Sequence, residues 1–298
     1  DNLLSGHAHA VKWGPLINVD VRDSTALDTA FESWSHAQTV VHLASSIEVG
    51  IGEKQPAEFY ENNVTGALNL LNAMRKTKVD QLIFSSTCAT YGETENMPLV
   101  ESEPQNPFST YGKTKLAIEH MIQSFHKAYG LTYVTLRYFN ASGADADGDI
   151  GEEHDPETHL IPIAIQSAMG SGRTMKIFGT DYETPDGTCI RDYIHVEDLV
   201  DAHVTVLAAL QGGDQRFYNL GTGNGTTVMQ IVEAGRKVTG HPIPSELGPR
   251  RAGDPPALYA DPTKIKNELG WSAKRTDIVQ MVEDAWGWFK AHPDGYGE

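Results

Sequence analysis

The chain has 298 residues, 40% hydrophobic and 21% charged, enough to bury a sizeable core in one large or two modest α/β domains. Its formal net charge of -17 argues against nucleic acid as a partner, since such binders normally show a basic face. The two cysteines, Cys88 and Cys189, make no disulfide framework and lie in no metal-ligand pattern, no run approaches the roughly 20 apolar residues that span a bilayer, and no basic and apolar leader opens the chain; a reducing cytoplasm, no metal and no membrane are the expectations.

Taken in order, Thr39-Val40-Val41-His42-Leu43-Ala44 predicts a buried strand. Residues 56–74 predict a helix whose Val64, Ala67, Leu68, Leu71 and Met74 recur at spacings of three and four and so share one face. Gln81-Leu82-Ile83-Phe84-Ser85 predicts a second strand, residues 110–129 a long helix, and Tyr133-Val134-Thr135-Leu136 a third strand. Strands alternating with long helices imply βαβ units and a parallel sheet, which binds ligands at the carboxyl ends of its strands. Beyond about residue 140 the texture changes: glycine, proline and acidic residues crowd 143–156, and later elements are short. The expected architecture is a Rossmann-like, doubly wound domain over residues 1–140 and a smaller α/β domain over 141–298, some of whose segments return to the first. Trp286-Gly287-Trp288-Phe289 reads as a helix packed by its aromatics.

The strongest chemical signal is Tyr111-Gly112-Lys113-Thr114-Lys115. Tyr111 and Lys115 are four apart, so they share a helix face. A phenol ordinarily titrates near 10, and a neighbouring ammonium favours its phenolate. An exposed tyrosine with an unrelated lysine has the same spacing, so the pair alone decides nothing. Thr87 adds context: it stands 24 residues earlier, at the end of the strand Phe84-Ser85-Ser86-Thr87. A hydroxyl at that carboxyl edge can bond the substrate oxygen whose proton Tyr111 takes. Thr87, Tyr111 and Lys115 together read as a catalytic triad.

The chain resembles the extended short-chain dehydrogenase/reductase family, in its nucleotide-sugar epimerase branch. Matching segments run the whole length: Asp1-Asn2-Leu3, Val19-Asp20-Val21-Arg22, His42-Leu43-Ala44, Asn62-Asn63-Val64-Thr65-Gly66, Tyr91-Gly92, Arg137-Tyr138-Phe139-Asn140, Ile177-Phe178-Gly179-Thr180-Asp181-Tyr182, Asp186-Gly187-Thr188, Arg191-Asp192-Tyr193-Ile194-His195-Val196, Tyr218-Asn219-Leu220-Gly221 and Arg250-Arg251-Ala252-Gly253-Asp254. The resemblance implies NAD as cofactor and a UDP-sugar as substrate. Tyr111 would take the proton of the sugar 4-hydroxyl while hydride leaves C4, the 4-keto sugar would turn over, and hydride would return to its other face. Glucose and galactose would thereby interconvert. It also implies a homodimer.

Residue by residue, the resemblance gives Asp1 and Asn2 to the adenosine ribose, and Asp20 and Val21 to the adenine. The stretch from Leu43 through Ala44 and Ser45 to Ile47 would follow the diphosphate and ribose, although many relatives carry lysine in place of Ile47. Asn63 and Phe139 would line the nicotinamide side, with Ser85 and Tyr138 also on the cofactor. For the substrate, Arg191 and Arg251 would fork onto phosphate, Tyr193 would support Arg191, and Asn140 and Asp254 would fix the diphosphate region and the uridine ribose. Lys176 to Phe178 would border the uracil, and His159, next to Leu160, would donate to phosphate or simply pack. Leu258, medium-sized, favours plain hexoses over N-acetyl sugars. The glycine turn that usually follows the first strand is not in the sequence, and about 30 residues of strand, turn and helix are expected before Asp1.

Rivals are a nucleotide-sugar dehydratase, an epimerase acting on UDP-N-acetylhexosamines or UDP-uronates, a decarboxylase, and an inactive binding fragment. The dehydratase lacks its acid pair, because Cys88-Ala89 follows Thr87. The decarboxylase stays open, and the fragment reading draws only on the glycine turn.

Overall fold

Leu82, Ile83 and Phe84 follow one another without a polar break, as strands covered on both faces do. All three are buried in the computed structural model, which describes residues 1–34, 36–94, 96–251 and 254–297. Its helices are α1 (Ser24–Ser33), α2 (Val49–Gly52), α3 (Pro56–Phe59), α4 (Gly66–Thr77), α5 (Thr110–Tyr129), α6 (Leu160–Ala168), α7 (Val196–Ala209), α8 (Val228–Thr239), α9 (Thr263–Leu269) and α10 (Ile278–Ala291). Its strands are β1 (Thr39–His42), β2 (Gln81–Thr87), β3 (Thr132–Tyr138), β4 (Asn140–Ser142), β5 (Met175–Phe178), β6 (Ile190–His195), β7 (Gln215–Leu220), β8 (Gly225–Thr227), β9 (Ser245–Gly248) and β10 (Ala257–Leu258). No helix among the described residues is long and apolar enough to cross a membrane.

The chain divides into two units. The first comprises Asp1–Gly92, Glu101–Tyr138 and His203–Tyr218. Its sheet runs β1-β2-β3-β7. β1, β2 and β3 are mutually parallel, with Thr39 opposite Gln81 and Thr87 opposite Tyr138, the arrangement that the alternation of strands and helices implies. α4 and α5 cover it with Leu71, Met74, Ile118 and Ile122.

One stretch departs from its periodicity. Residues 56–77 form α3, a π-helical turn over Tyr60–Thr65, and α4. The wider turn holds extra chain and shifts the apolar phase. Leu70 is therefore buried beside Ala67, Leu71 and Met74, while Leu68, expected on that face, is 40% exposed. β1 also ends sooner than its sequence suggests, so Leu43 lies beyond it and is exposed.

The second unit comprises Glu93–Val100, Phe139–Ala202 and Asn219–Glu298. β10, β6 and β4 form a small parallel sheet, with β8 antiparallel to β6, and β5 pairs with β9. Ile161 and Ile165 of α6, Ile231 of α8 and Met281 of α10 share one core. Trp288 is buried on α10, as the aromatic end of the sequence implies. Asp192, fully buried on β6, ties this unit's loops together. Its carboxylate accepts from the backbone N–H groups of Thr222, Gly223 and Ala260 and from the Thr222 hydroxyl, at 2.7–3.1 Å.

Candidate active site

The catalytic geometry of the first unit starts from how α5 begins. Ser109 caps it, its Oγ accepting from Gly112 N at 3.1 Å. Gly112 lets the first turn lie against the turn after β2: a Cβ there would stand 2.5 Å from the Ala89 carbonyl oxygen. That approach sets the start of α5, which carries Tyr111, against the turn that follows Thr87. Thr87 Oγ1 also accepts from Ala89 N at 3.1 Å, which fixes its rotamer. One turn along α5, Lys115 is 2% exposed. Its Nζ donates to the Ser85 carbonyl at 2.9 Å and lies 5.8 Å from the centre of the Tyr111 ring. Tyr138, opposite Thr87 in the sheet, is hydrogen-bonded to His203 Nε2. Thr87, Tyr111 and Lys115, predicted together, are together, with Ser85 and Tyr138 beside them.

Burial dominates the electrostatics. It pushes the Tyr111 phenol above its usual value of 10, against the Thr87 hydrogen bond. It brings Lys115 down to about 7, against the pull of Glu119. By itself the pair near neutrality is a protonated phenol beside a half-charged amine. Making phenolate there needs further positive charge close by.

Behind this pair is a network that sequence reading missed. Glu119 is fully buried and takes two bonds from Arg137, at 3.1 and 2.7 Å. It also accepts from the Ser86 hydroxyl, and Arg137 donates to the Tyr91 hydroxyl at 2.8 Å. The signal was present: Glu119 stands four residues after Lys115 and eight after Tyr111, on one helix face.

On the side given to the cofactor, the π-helical turn aims Asn63 at the loop after β1. Asn63 Oδ1 accepts from Ser46 N at 2.7 Å, and its Nδ2 donates to Ser46 O and Thr114 Oγ1, both at 3.0 Å. Asn63 thus ties the Leu43, Ala44 and Ser45 loop to α5. Asp20 accepts from Asn2 at 3.0 Å and is gripped by Arg22, whose hydrogen bonds hold its carboxyl well below the usual range. Asp1 Oδ1 accepts from Leu3 N at 2.7 Å. The Val21 side chain sits where a Cβ on Gly66 would fall, 2.6 Å away, which keeps that loop against the start of α4. Phe139 belongs to the second unit. Carboxylates at one end, a serine-bearing loop, and a buried ammonium with hydroxyls at the other are a donor set that fits a dinucleotide with sugar hydroxyls, a diphosphate and a reactive ring.

In the second unit the predicted anchor residues pair among themselves. Arg191, on β6, is bonded to the Asp254 carboxylate and to the carbonyls of Ile190 and Pro255, at 2.6 and 3.0 Å. Arg251 lies over the Phe178 ring, 4.0 Å from its centre. Arg250, not singled out by sequence reading, lies over Tyr182 at 4.2 Å and is salt-bridged to Asp181. Asn140 donates to the Asp192 carbonyl at 2.9 Å and pairs in register with Tyr193, whose phenol burial pushes up. Lys176 is exposed on β5, two residues before Phe178. Leu258 is paired in register with Arg191. His159 precedes Leu160, the first residue of α6, and its Nδ1 is taken by Glu152, which raises its pKa. Ala252 and Gly253, within the segment that carries the resemblance, lie outside the described residues.

A parallel sheet bearing Thr, Tyr and Lys at the carboxyl end of a central strand defines the short-chain dehydrogenase class of NAD-dependent enzymes. Within it, the chain belongs to the NAD dependent epimerase/dehydratase family, whose model matches residues 2–221. It is 50% identical to the UDP-glucose 4-epimerase of Halalkalibacterium halodurans, across 99% of this chain and 89% of that one. The fold superposes on UDP-glucose 4-epimerase from Brucella ovis in complex with NAD, with a TM-score of 0.93, 48% identity and coverage of 97% and 89%. It also superposes on the Bifidobacterium longum enzyme in complex with NAD+ and UDP, with a TM-score of 0.94, 36% identity and coverage of 99% and 91%.

Proposed function

We propose that the protein interconverts UDP-glucose and UDP-galactose by inverting C4 of the hexose, with NAD as its cofactor. The observation that carries the reading is Tyr111 and Lys115 one turn apart on α5, whose first turn packs against the turn that follows Thr87, with Lys115 buried and bonded to the Ser85 carbonyl. Bound NAD would supply a hydride acceptor that returns the same hydride, together with a positive ring near the phenol. Asp1, Asn2, Asp20 and Val21 would hold its adenosine end, the Asn63-braced loop its diphosphate, and Lys115, Ser85 and Tyr138 its nicotinamide half.

The chain's own groups do the rest. Tyr111, as phenolate, takes the proton of the 4-hydroxyl and later gives it back. Thr87 bonds the same oxygen and orients it. Lys115 supplies the local charge that favours phenolate and, through the Ser85 carbonyl, stays fixed while doing so. The 4-keto sugar must turn about an anchor that holds. Arg191 and Arg251 supply it, because a guanidinium keeps its charge and forks onto phosphate. Asn140 and Asp254 would place the ribose side, Lys176 and Phe178 the uracil, and Tyr193 would support Arg191. His159 and Leu160 would border the phosphates. Leu258 beside Arg191 favours unsubstituted hexoses. A homodimer working in the cytoplasm completes the proposal, and light scattering of the purified protein reads the first part of it.

The direct test is incubation with UDP-galactose and NAD while UDP-glucose is measured. The wild type converts it, and Tyr111→Phe slows conversion by about 10²–10⁴-fold. No conversion by the wild type, or full activity of Tyr111→Phe, sinks the reading.

A further inference from the structure

The second unit holds another convergence of side chains, of which the proposed reaction uses only His159. Glu152, His154, Glu157 and His159 come from the stretch that leads into α6, and one donor atom of each lies within 4.8 Å of the others. His154 Nδ1 is 3.3 Å from Glu152 Oε1 and 3.7 Å from Glu157 Oε2. His159 Nδ1 is 3.8 Å from Glu157 and directly against Glu152 Oε1. An ion holding four ligands tetrahedrally at about 2.1 Å separates them from one another by about 3.4 Å. The spacing of these donors is of that size.

A second observation points into the same space. Glu157 is 4% exposed. Its Oε1 accepts from the backbone N–H groups of Thr158 and His159, at 2.7 and 2.8 Å, which aims its other oxygen inward. That oxygen, Oε2, is buried and makes no hydrogen bond, and neither does buried His154 Nδ1 facing it. Buried carboxylate oxygens and ring nitrogens normally have such a partner. Imidazolium–carboxylate pairing is the alternative use of the four groups: it sets both histidines against Glu152 Oε1, His154 at 3.3 Å, but leaves Glu157 Oε2 3.7 Å from His154 Nδ1, beyond a hydrogen bond.

The donor set selects the ion. Two carboxylates and two neutral imidazoles sum to a charge of −2, which complements a divalent cation. Nitrogen donors suit zinc-like ions, whereas calcium and magnesium seek oxygen ligands in larger number. Four protein ligands close a tetrahedral shell, which is the pattern of structural sites. We propose that Glu152, His154, Glu157 and His159 bind one divalent transition-metal ion, Zn2+ foremost, and that it fixes the stretch entering α6. This does not rest on the reaction proposed above.

The test uses the full chain, stripped with a chelator and titrated with ZnCl2 against a chromophoric competitor. The expectation is one high-affinity equivalent per chain and a rise in Tm on zinc addition. His154→Gln and His159→Gln each weaken zinc binding by more than the roughly 10–100-fold that loss of an outer-shell partner costs, and abolish the Tm rise. Glu152→Gln, at the more open carboxylate, gives the same loss should a histidine variant fold poorly by far-UV circular dichroism. Absence of a tight equivalent in the wild type overturns the proposal. So does zinc binding that any correctly folded one of these variants retains in full.

Discussion

The two units treat charge in opposite ways. In the first, Lys115 is sunk beside Tyr111, and burial brings its amine down to about 7 against the pull of Glu119. In the second, the guanidinium groups of Arg191 and Arg250 are held on Asp254 and Asp181 nearer the surface, where their charge persists. The contrast matches the two tasks that the proposed function assigns. Moving a proton requires a group whose protonation state is close to changing, and desolvation supplies that. Holding a diphosphate requires charge that stays, and an ion-paired arginine keeps it ready without leaving it uncompensated. Under the proposed function, Asp254 would position Arg191 for the diphosphate as well as place the ribose side.

Lys115→Met probes the first half of this comparison and carries the largest expected effect. Turnover falls by about 10²–10⁴-fold, since the phenolate loses its cation. Stability gives a separate readout. Lys115 goes from an ordinary 10.5 to about 7 on folding. Between those values the unfolded chain binds more protons than the folded one, so this residue makes stability rise with pH there. Urea unfolding from pH 7 to 10 should show the wild type gaining stability relative to Lys115→Met. A flat or falling difference breaks the claim that burial tunes this amine.

Arg191→Ala probes the second half. Losing one partner of a desolvated charge pair costs about 2 kcal/mol or more, so UDP binding should weaken by about 30-fold or more by calorimetry. Tyr111→Phe should leave UDP binding unchanged while abolishing turnover. Equal weakening in both variants would end the division of labour between anchor and chemistry.

How much of this was readable in advance depends on the range of the interaction. The parallel sheet was legible because buried strands such as Leu82-Ile83-Phe84 carry their burial in their composition. Thr87, Tyr111 and Lys115 were legible because a helix face and a strand end turn spacing into proximity. The pairing of Arg191 with Asp254 spans 63 residues and follows from no local rule, so both residues were named without their being partners. Asn63 was named for the nicotinamide side, whereas its bonds to Ser46 and Thr114 were not legible, because a π-helical turn alters the register that sequence periodicity assumes. Glu152, His154, Glu157 and His159 lie within eight residues, but the cluster has no cysteine and no familiar ligand spacing, so only the convergence of its donor atoms in the structure marks it.

The smallest effect tests the contact that makes Tyr111 and Thr87 neighbours. A methyl at Gly112 would meet the Ala89 carbonyl oxygen at 2.5 Å and Pro107 Cβ at 3.0 Å. Alanine also favours a helix over glycine by up to about 1 kcal/mol, which opposes the clash. Because the obstacle is backbone, relief means moving the turn that carries Thr87, and overpacking of this kind costs about 1–3 kcal/mol. Gly112→Ala should therefore lose a net amount on the order of 1 kcal/mol of stability. Turnover should fall with UDP affinity intact. Gly235 in α8 is the matched control, since a methyl there meets only the tip of Ile243, at 2.6 Å. A flexible side-chain end can yield, so Gly235→Ala should be neutral or stabilising. If Gly112→Ala behaves like Gly235→Ala in both stability and turnover, the close approach of α5 to the end of β2 is not what sets the Thr87–Tyr111 distance, and the catalytic half of the comparison loses its structural cause.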